Sequence, residues 1–270
     1  MTKSTVFATH VNNIGWLKYL AEPLERSAKY FHPEIPFKIF GPEESEQLLA
    51  SYPIKTKHPC SGIKAIIGKE LSKQYERVVL LDADSLIVST LPEILDLKYD
   101  VAGVRAFTDQ GSLQNYPADF IGIKDYEALV KERQKFLNGG FIASQNPQFW
   151  DDWHKMNIEC VSTTFNIDEG TFNKLILEKY STSYQILDPI EAPYYYGTAS
   201  TWGEKTAWES WKTIELKEEK LYLKNIYGNE KQIKILHEAG HGTPSEIPGG
   251  RFDYDNLFQP EVASFLKRIA

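Results

Sequence analysis

Hydrophobic residues in this chain fall into short unbroken runs, separated by stretches in which they recur at helical spacing. Thr5 to Thr9 reads as a first strand. Behind it, Ile14, Leu17, Leu20, Ala21, Leu24 and Ala28 return on one helix face, with Pro23 as a candidate kink. Phe37 to Phe40 predicts a second strand, ended by Gly41-Pro42. Ser61 is placed to cap a helix that carries Ile63, Ile66, Ile67 and Leu71. Arg77-Val78-Val79-Leu80-Leu81 predicts a buried strand. Leu86-Ile87-Val88 and Asp100 to Val104 predict further extended pieces. Such alternation predicts an α/β fold, a mostly parallel central sheet with helices on both faces.

The later pattern is less regular. Residues 106–122 read as irregular, and Lys124 to Phe136 as a helix. Phe136 to Ser144 begins with Asn138-Gly139-Gly140 and turns strand-like. Asn146-Pro147 opens a helix through Trp150 and Trp153, with proline in its favoured first turn. Asp168-Glu169 opens another, with Phe172, Leu175, Ile176 and Leu177 as apolar content. Residues 191–232 are rich in Tyr, Trp, Lys and Glu and show no period. Ile233 to Leu236 predicts a strand ending at His237, and Phe258-Gln259-Pro260 opens a terminal helix. No repeat or long linker divides the chain, so one domain over residues 1–270 is expected.

The chemistry begins where the run ending at Leu81 meets Asp82-Ala83-Asp84. A strand delivers these carboxylates to the carboxyl edge of the sheet, where open α/β sheets bind ligands. Alternation along a strand would point both the same way. Two hard oxygen donors suit Mg²⁺ or Mn²⁺ shared with substrate phosphates. A turn or a helix cap accounts for the same residues equally well.

Composition narrows the classes. Hydrophobic content of 42% and charged content of 25% fit a soluble globular protein. A net charge of −7 without a basic tract argues against nucleic acid as a partner. Cys60 and Cys160 are isolated and make neither a disulfide framework nor a zinc site. The opening residues lack the apolar stretch of a signal peptide, and no segment has the length of a membrane span. A cytoplasmic setting is the expectation, with oligomeric state left open.

Asp82-x-Asp84, Asn138-Gly139-Gly140, Asp168-Glu169 at a helix start with Asn173 four residues past Glu169, and His237-Glu238-Ala239-Gly240 after a strand occur in this order. Together with Leu91-Pro92-Glu93-Ile94, they resemble the motifs of the retaining glycosyltransferases of family 8, over roughly residues 3–245. The resemblance implies a GT-A, Rossmann-like fold with a smaller acceptor-side subregion. It implies a donor-nucleotide half of about 1–105 and an acceptor and donor-sugar half of about 106–270. It implies transfer of a sugar from a nucleoside-diphosphate sugar, UDP-linked, to a hydroxyl on a glycan, protein or small molecule. It assigns the metal, Mn²⁺ or Mg²⁺, to Asp82, Asp84 and His237. Ala8, Thr9, His10, Lys64, Asp82, Ala83, Gly139, Gly140, Gly240 and His241 would hold the donor. Asp168, Glu169 and Asn138 would serve catalysis, with Asp168 on sugar hydroxyls and Glu169 near the anomeric carbon. A carboxylate there is suited to act as nucleophile or to stabilise an oxocarbenium-like centre.

Taken singly, the same residues fit plainer roles. Asn138-Gly139-Gly140 is also a tight turn, Asp168-Glu169 also suits a helix dipole, and Lys64 also reads as a solvated helix lysine. His10 fits a lining or capping residue better than a catalyst. The chain also departs from the family. Val11-Asn12-Asn13 stands where an acid usually reads uracil, Glu169 replaces the commoner glutamine, and His241-Gly242-Thr243-Pro244 carries no lysine for the diphosphate. Tyr194-Tyr195-Tyr196, Trp202, Trp208 and Trp211 offer aromatic faces for an acceptor sugar or for packing. Two rivals remain: a haloacid-dehalogenase-like Mg²⁺ phosphatase, and a sugar-nucleotide-binding protein without turnover.

Overall fold

The computed structural model describes residues 4–52, 62–105, 137–159, 167–187, 196–197, 213–224, 230–237 and 254–270. Its centre is a six-stranded sheet in the order β2-β1-β3-β6-β5-β7. These strands are β1 (Thr5–His10), β2 (Phe37–Phe40), β3 (Arg77–Leu81), β5 (Val101–Arg105), β6 (Leu137–Ser144) and β7 (Tyr184–Leu187). The β1–β2, β1–β3 and β5–β7 pairs are parallel, while β6 runs antiparallel to both β3 and β5. The sheet is therefore mostly parallel, as the alternation predicts, with one reversed strand in its middle.

Side-chain alternation builds a core on each face. Val6, Ala8, Val78, Leu80 and Ile142 pack with α4 (Ile63–Leu71), α6 (Pro147–Glu159) and α7 (Ile167–Lys179), and Leu48 of α3 (Pro42–Ser51) lies against them. Phe7, Val79, Leu81, Phe141 and Ala143 face the other way, onto Leu24 and Ala28 of α2 (Glu22–Phe31) and Ile94 of α5 (Pro92–Leu95). Burying each such aliphatic or aromatic side chain contributes about 1.5–3 kcal/mol. One contact in the first core is unusually close. A Cβ on Gly68 of α4 would lie 2.1 Å from the Trp150 ring of α6, so these helices meet at a distance only glycine permits.

The first helical stretch is not uniform. A short turn, α1 (Ile14–Trp16), passes through a π-helical segment (Leu17–Ala21) before α2 begins. Pro23 lies just past the π-helical segment, with Ala21 and Glu22 before it still helical, so its missing N–H falls where the helical hydrogen-bond pattern changes. Gly62 immediately precedes α4 without a side-chain cap bond, and Ser61 lies outside the described residues. So do the helix expected at Lys124 to Phe136 and the aromatic positions Tyr194, Tyr195, Trp202, Trp208 and Trp211.

Two small sheets complete the described architecture. β12 (Ile235–His237) pairs antiparallel with β4 (Ser85–Ile87) and parallel with β8 (Tyr196–Gly197). The strand expected from Ile233 to His237 is divided at Lys234. Before it, β11 (Glu230–Ile233) pairs with β10 (Lys220–Lys224); at it, the Lys234 carbonyl accepts from Val88 N–H at 2.8 Å and the chain changes partners. Leu86, Leu221, Leu236 and Phe265 share a third core with α9 (Pro260–Ile269), and Tyr254 of α8 (Tyr254–Leu257) packs against it. No helix among the described residues is long and apolar enough to cross a membrane.

β9 (Glu215–Lys217) joins β10 through Glu218 and Glu219, which have φ values of 49° and 61°. Two left-handed residues in a two-residue hairpin are the positions that Asn-Gly normally fills. Glutamate there carries a Cβ clash of roughly 1 kcal/mol per residue. Glu218→Asn keeps the 2.6 Å ion pair between Glu219 and Arg268 and is expected to raise stability by about 0.5–1 kcal/mol. The urea midpoint is the check.

Candidate functional site

The carboxyl ends of β1 and β3 lie side by side, and the Thr9 hydroxyl donates to the Leu81 carbonyl at 2.8 Å across them. Beyond Leu81 the chain leaves the sheet in a turn, with Ser85 N–H bonded to Asp82 C=O at 3.1 Å. That turn, rather than strand alternation, brings Asp82 and Asp84 to one place. Ala83 between them is buried against the third core.

β12 supplies the remaining corner. His237 Nε2 stands 3.3 Å from Asp84 and 3.6 Å from Asp82. Donor atoms of Asp82, Asp84 and His237 all lie within 4.8 Å of one another. The imidazole is buried, at 2% side-chain exposure, while Asp82 keeps 31% and opens the trio to solvent. Burial lowers the affinity of His237 for a proton, but Asp84 and then Asp82 outweigh it and push its pKa up to about 9. Burial opposes ionisation of Asp82, yet Lys64 and His237 hold its pKa well below the usual carboxylate range.

Protonation of His237 couples stability to pH. Its folded pKa lies above the ordinary value of 6.5. The stabilisation is complete below that value and is lost as pH rises through the folded one. Chelator-treated protein is therefore expected to melt at lower temperature at about pH 10 than at about pH 7. In His237→Asn that difference should shrink.

Lys64, from the first turn of α4, stands on the other side of Asp82. Its ammonium is 2.7 Å from Asp82, 3.3 Å from Asp168 and 2.9 Å from the Gly139 carbonyl. Burial alone would favour neutral lysine, but the two carboxylates reverse that and keep it charged. It is not the solvated helix lysine that its neighbours in sequence allow.

Asp168 and Glu169 occupy the start of α7. Asp168 Oδ1 accepts from the adjacent Glu169 N–H at 2.9 Å. Burial and the charge of Asp82 raise its pKa against the pull of Lys64. Glu169 is pushed up to about 7, first by burial and then by Asp168. Its carboxylate accepts weakly from Gly139 N–H at 3.4 Å.

Asn138-Gly139-Gly140 forms an irregularity in β6. The β5–β6 register shifts between Gly103 and Val104, and the looped-out segment lies between Asp82 and Glu169. Asn138 Oδ1 accepts from Gly140 N–H at 2.7 Å, and the Gly140 carbonyl accepts from Asp82 N–H at 2.8 Å. The segment is thus both a local turn and a neighbour of Glu169.

Asn173, four residues past Glu169 as the resemblance has it, belongs to this assembly. Its amide accepts from Leu137 N–H at 2.7 Å and donates to Leu137 C=O at 2.8 Å and Glu169 C=O at 2.9 Å. It mimics a strand neighbour and fastens α7 to the irregular start of β6. The motif marks its position, and a polar amide among Phe172, Leu175 and Ile176 on a buried helix face marks it as a structural tie. Asn173→Ala leaves the Leu137 groups without these partners and is expected to cost about 3 kcal/mol, measurable by chemical denaturation.

Of the donor residues expected from sequence, Ala8 is buried in the sheet core and Thr9 is committed to Leu81. His10 ends β1 close to Lys64 and Asp82, and burial brings its pKa down to about 4. Gly240 and His241 lie outside the described residues.

No family model and no curated protein sequence matches this chain. Solved structures do, and glycosyltransferases are among them. The apo structure of the bifunctional glycosyltransferase WbbM aligns over 99% of this chain at TM-score 0.57 and 13% identity, covering 52% of that chain. This chain thus spans about half the length of WbbM. A glycosyltransferase involved in glycosylation of the major capsid of PBCV-1 aligns at TM-score 0.53 and 11% identity, covering 88% of this chain and 94% of the other. A glutamine-to-glutamate active-site mutant of LgtC aligns at TM-score 0.51 and 13% identity, covering 98% and 94%. The chain has the GT-A fold of these enzymes.

Proposed function

We propose that this chain is a metal-dependent glycosyltransferase that moves a sugar from a UDP-sugar to a hydroxyl acceptor with retention of anomeric configuration. The observation that carries the proposal is the placement, at the carboxyl edge of a GT-A sheet, of Asp82, Asp84 and His237 beside Lys64, Asp168 and Glu169. Two carboxylates and an imidazole are a donor set that fits Mn²⁺ better than Mg²⁺, which prefers oxygen alone. A divalent cation bound there would offset charge growing on the leaving diphosphate, an effect worth several kcal/mol.

The protein groups divide the work around it. Asp82, Asp84 and His237 hold the metal. The nucleotide lies against His10 and the Asp82-Ala83 turn, with the buried Ala8 and Thr9 shaping that end of β1 from beneath. Lys64 keeps Asp82 and Asp168 at a fixed separation. Gly139 and Gly140 allow the donor close to the backbone, and Gly240 and His241 take the diphosphate. Asp168 binds donor hydroxyls. Glu169, as a carboxylate, faces the anomeric carbon with Asn138 beside it. The donor-nucleotide half comprises about 1–105 and the acceptor and donor-sugar half about 106–270, in one domain.

Calorimetric titration of UDP, with Mn²⁺ and with chelator, tests the donor site. Metal-dependent UDP binding is expected, followed by slow hydrolysis of at least one UDP-sugar with release of the retained anomer, read by NMR. Binding without hydrolysis or transfer would favour a non-catalytic binder. Failure of UDP, GDP and other nucleotides alike would sink the proposal.

A further inference from the structure

We infer that Ser85 orients His237 for metal ligation by accepting the imidazole Nδ1–H on its hydroxyl; the inference rests on the metal site proposed above. Ser85 is fully buried, at 0% exposure, and its hydroxyl has no hydrogen-bond partner among the described residues. Leaving such a group unpartnered in the interior costs about 1–3 kcal/mol, so its presence at this position calls for a cause.

The cause lies across the strand pair. In the β4–β12 register Ser85 is directly opposite His237. Residues so placed have Cβ atoms about 5 Å apart and side chains on one face. The neighbouring pairs verify the face: Ile87 and Ile235 enter one core, whereas Leu86 and Leu236 enter another. His237 turns Nε2 toward Asp84 and Asp82, which leaves Nδ1 as the nitrogen away from the carboxylates. An imidazole that ligates through Nε2 is the neutral tautomer with its proton on Nδ1. Metal-bound histidines nearly always give that proton to an outer acceptor, which fixes the ring. A serine hydroxyl has the lone pairs for it, and only a small side chain must rotate.

Full-length wild type, Ser85→Ala and Ser85→Thr should be titrated with Mn²⁺ alone, following the free ion by electron paramagnetic resonance. Ser85→Ala is expected to weaken Mn²⁺ binding about 10–100-fold, and Ser85→Thr to restore most of it. Metal-free Ser85→Ala should keep a cooperative urea transition, so that its Mn²⁺ affinity is read on folded protein; a purely structural serine would lower the urea midpoint and leave Mn²⁺ affinity unchanged. In Mg²⁺-loaded wild type, ¹⁵N NMR should show a slowly exchanging His237 Nδ1–H that is lost in Ser85→Ala; this comparison holds even if the threonine does not fit. Unchanged Mn²⁺ affinity in a folded Ser85→Ala, or an unchanged Nδ1–H, overturns the inference alone. Absence of Mn²⁺ binding by wild type overturns the metal site and this inference with it, so the two failures are told apart by the first titration.

Discussion

Asp84→Ala is expected to fold normally, to lose specific Mn²⁺ binding, and to turn over donor at about one thousandth of the wild-type rate. Asp84 supplies one donor of the metal site. Its side chain is mostly buried beside His237, but it is not one of the carboxylates held by Lys64. Asp82 serves two partners, so replacing it would disturb Lys64 as well as the trio. If metal acts at the leaving diphosphate, the lost stabilisation is felt in the transition state more than in the ground state, and kcat falls more than affinity for the sugar portion. Steady-state kinetics, with Mn²⁺ binding measured in parallel, gives the check. Full activity in Asp84→Ala would reject the metal-dependent mechanism.

Lys64→Met is expected to have the largest effect on the protein as a whole. The ammonium is the shared counter-ion of Asp82 and Asp168 and donates to the Gly139 carbonyl. Removing one partner of a buried charge cluster typically costs about 3–5 kcal/mol, because the remaining charges have lost their compensation. Here two carboxylates are left facing each other, with Glu169 close behind. Their proton affinities should rise, so mildly acidic pH should recover part of the lost stability. Urea denaturation of wild type and Lys64→Met at neutral and acidic pH tests this. A gap that stays constant would show that Lys64 carries little of the charge balance. Activity should fall with stability, since Asp168 and the Gly139 segment are no longer held at a fixed distance from Asp82.

The strands and their burial are legible in sequence because the apolar runs are short and end abruptly. Arg77 to Leu81 reads as a buried strand and is one. Direction is not legible: nothing local in Leu137 to Ser144 marks it as antiparallel among parallel strands, since direction depends on how the chain returns to the sheet. Asp82 and Asp84 stand out for the same reason as their strand, as carboxylates following Leu81. Strand periodicity predicts their convergence, whereas a turn achieves it. His237 can be attached to them only through the resemblance of its motif, because 152 positions separate it from Ser85, its partner across the strands. The ties made by Lys64 and Asn173 are hidden more deeply. The resemblance marks both positions, Lys64 for the donor and Asn173 after Asp168-Glu169, but the partners they hold, Asp82, Asp168 and Leu137, are supplied only by the fold.

The close approach of Gly68 to Trp150 reaches beyond packing. Gly68 lies four positions after Lys64 on α4, about one turn away on the same helical side. A larger residue at 68 would have to lever the helix away from α6, and a helix that moves as a rod carries its first turn along. The ammonium would then be displaced from acceptors that tolerate little error, although nothing at the site had been altered. Misplacements of about an ångström are enough to slow catalysis about a hundredfold. The aromatic wall under α4 thus works as a gauge block, setting from a distance how far the cation reaches.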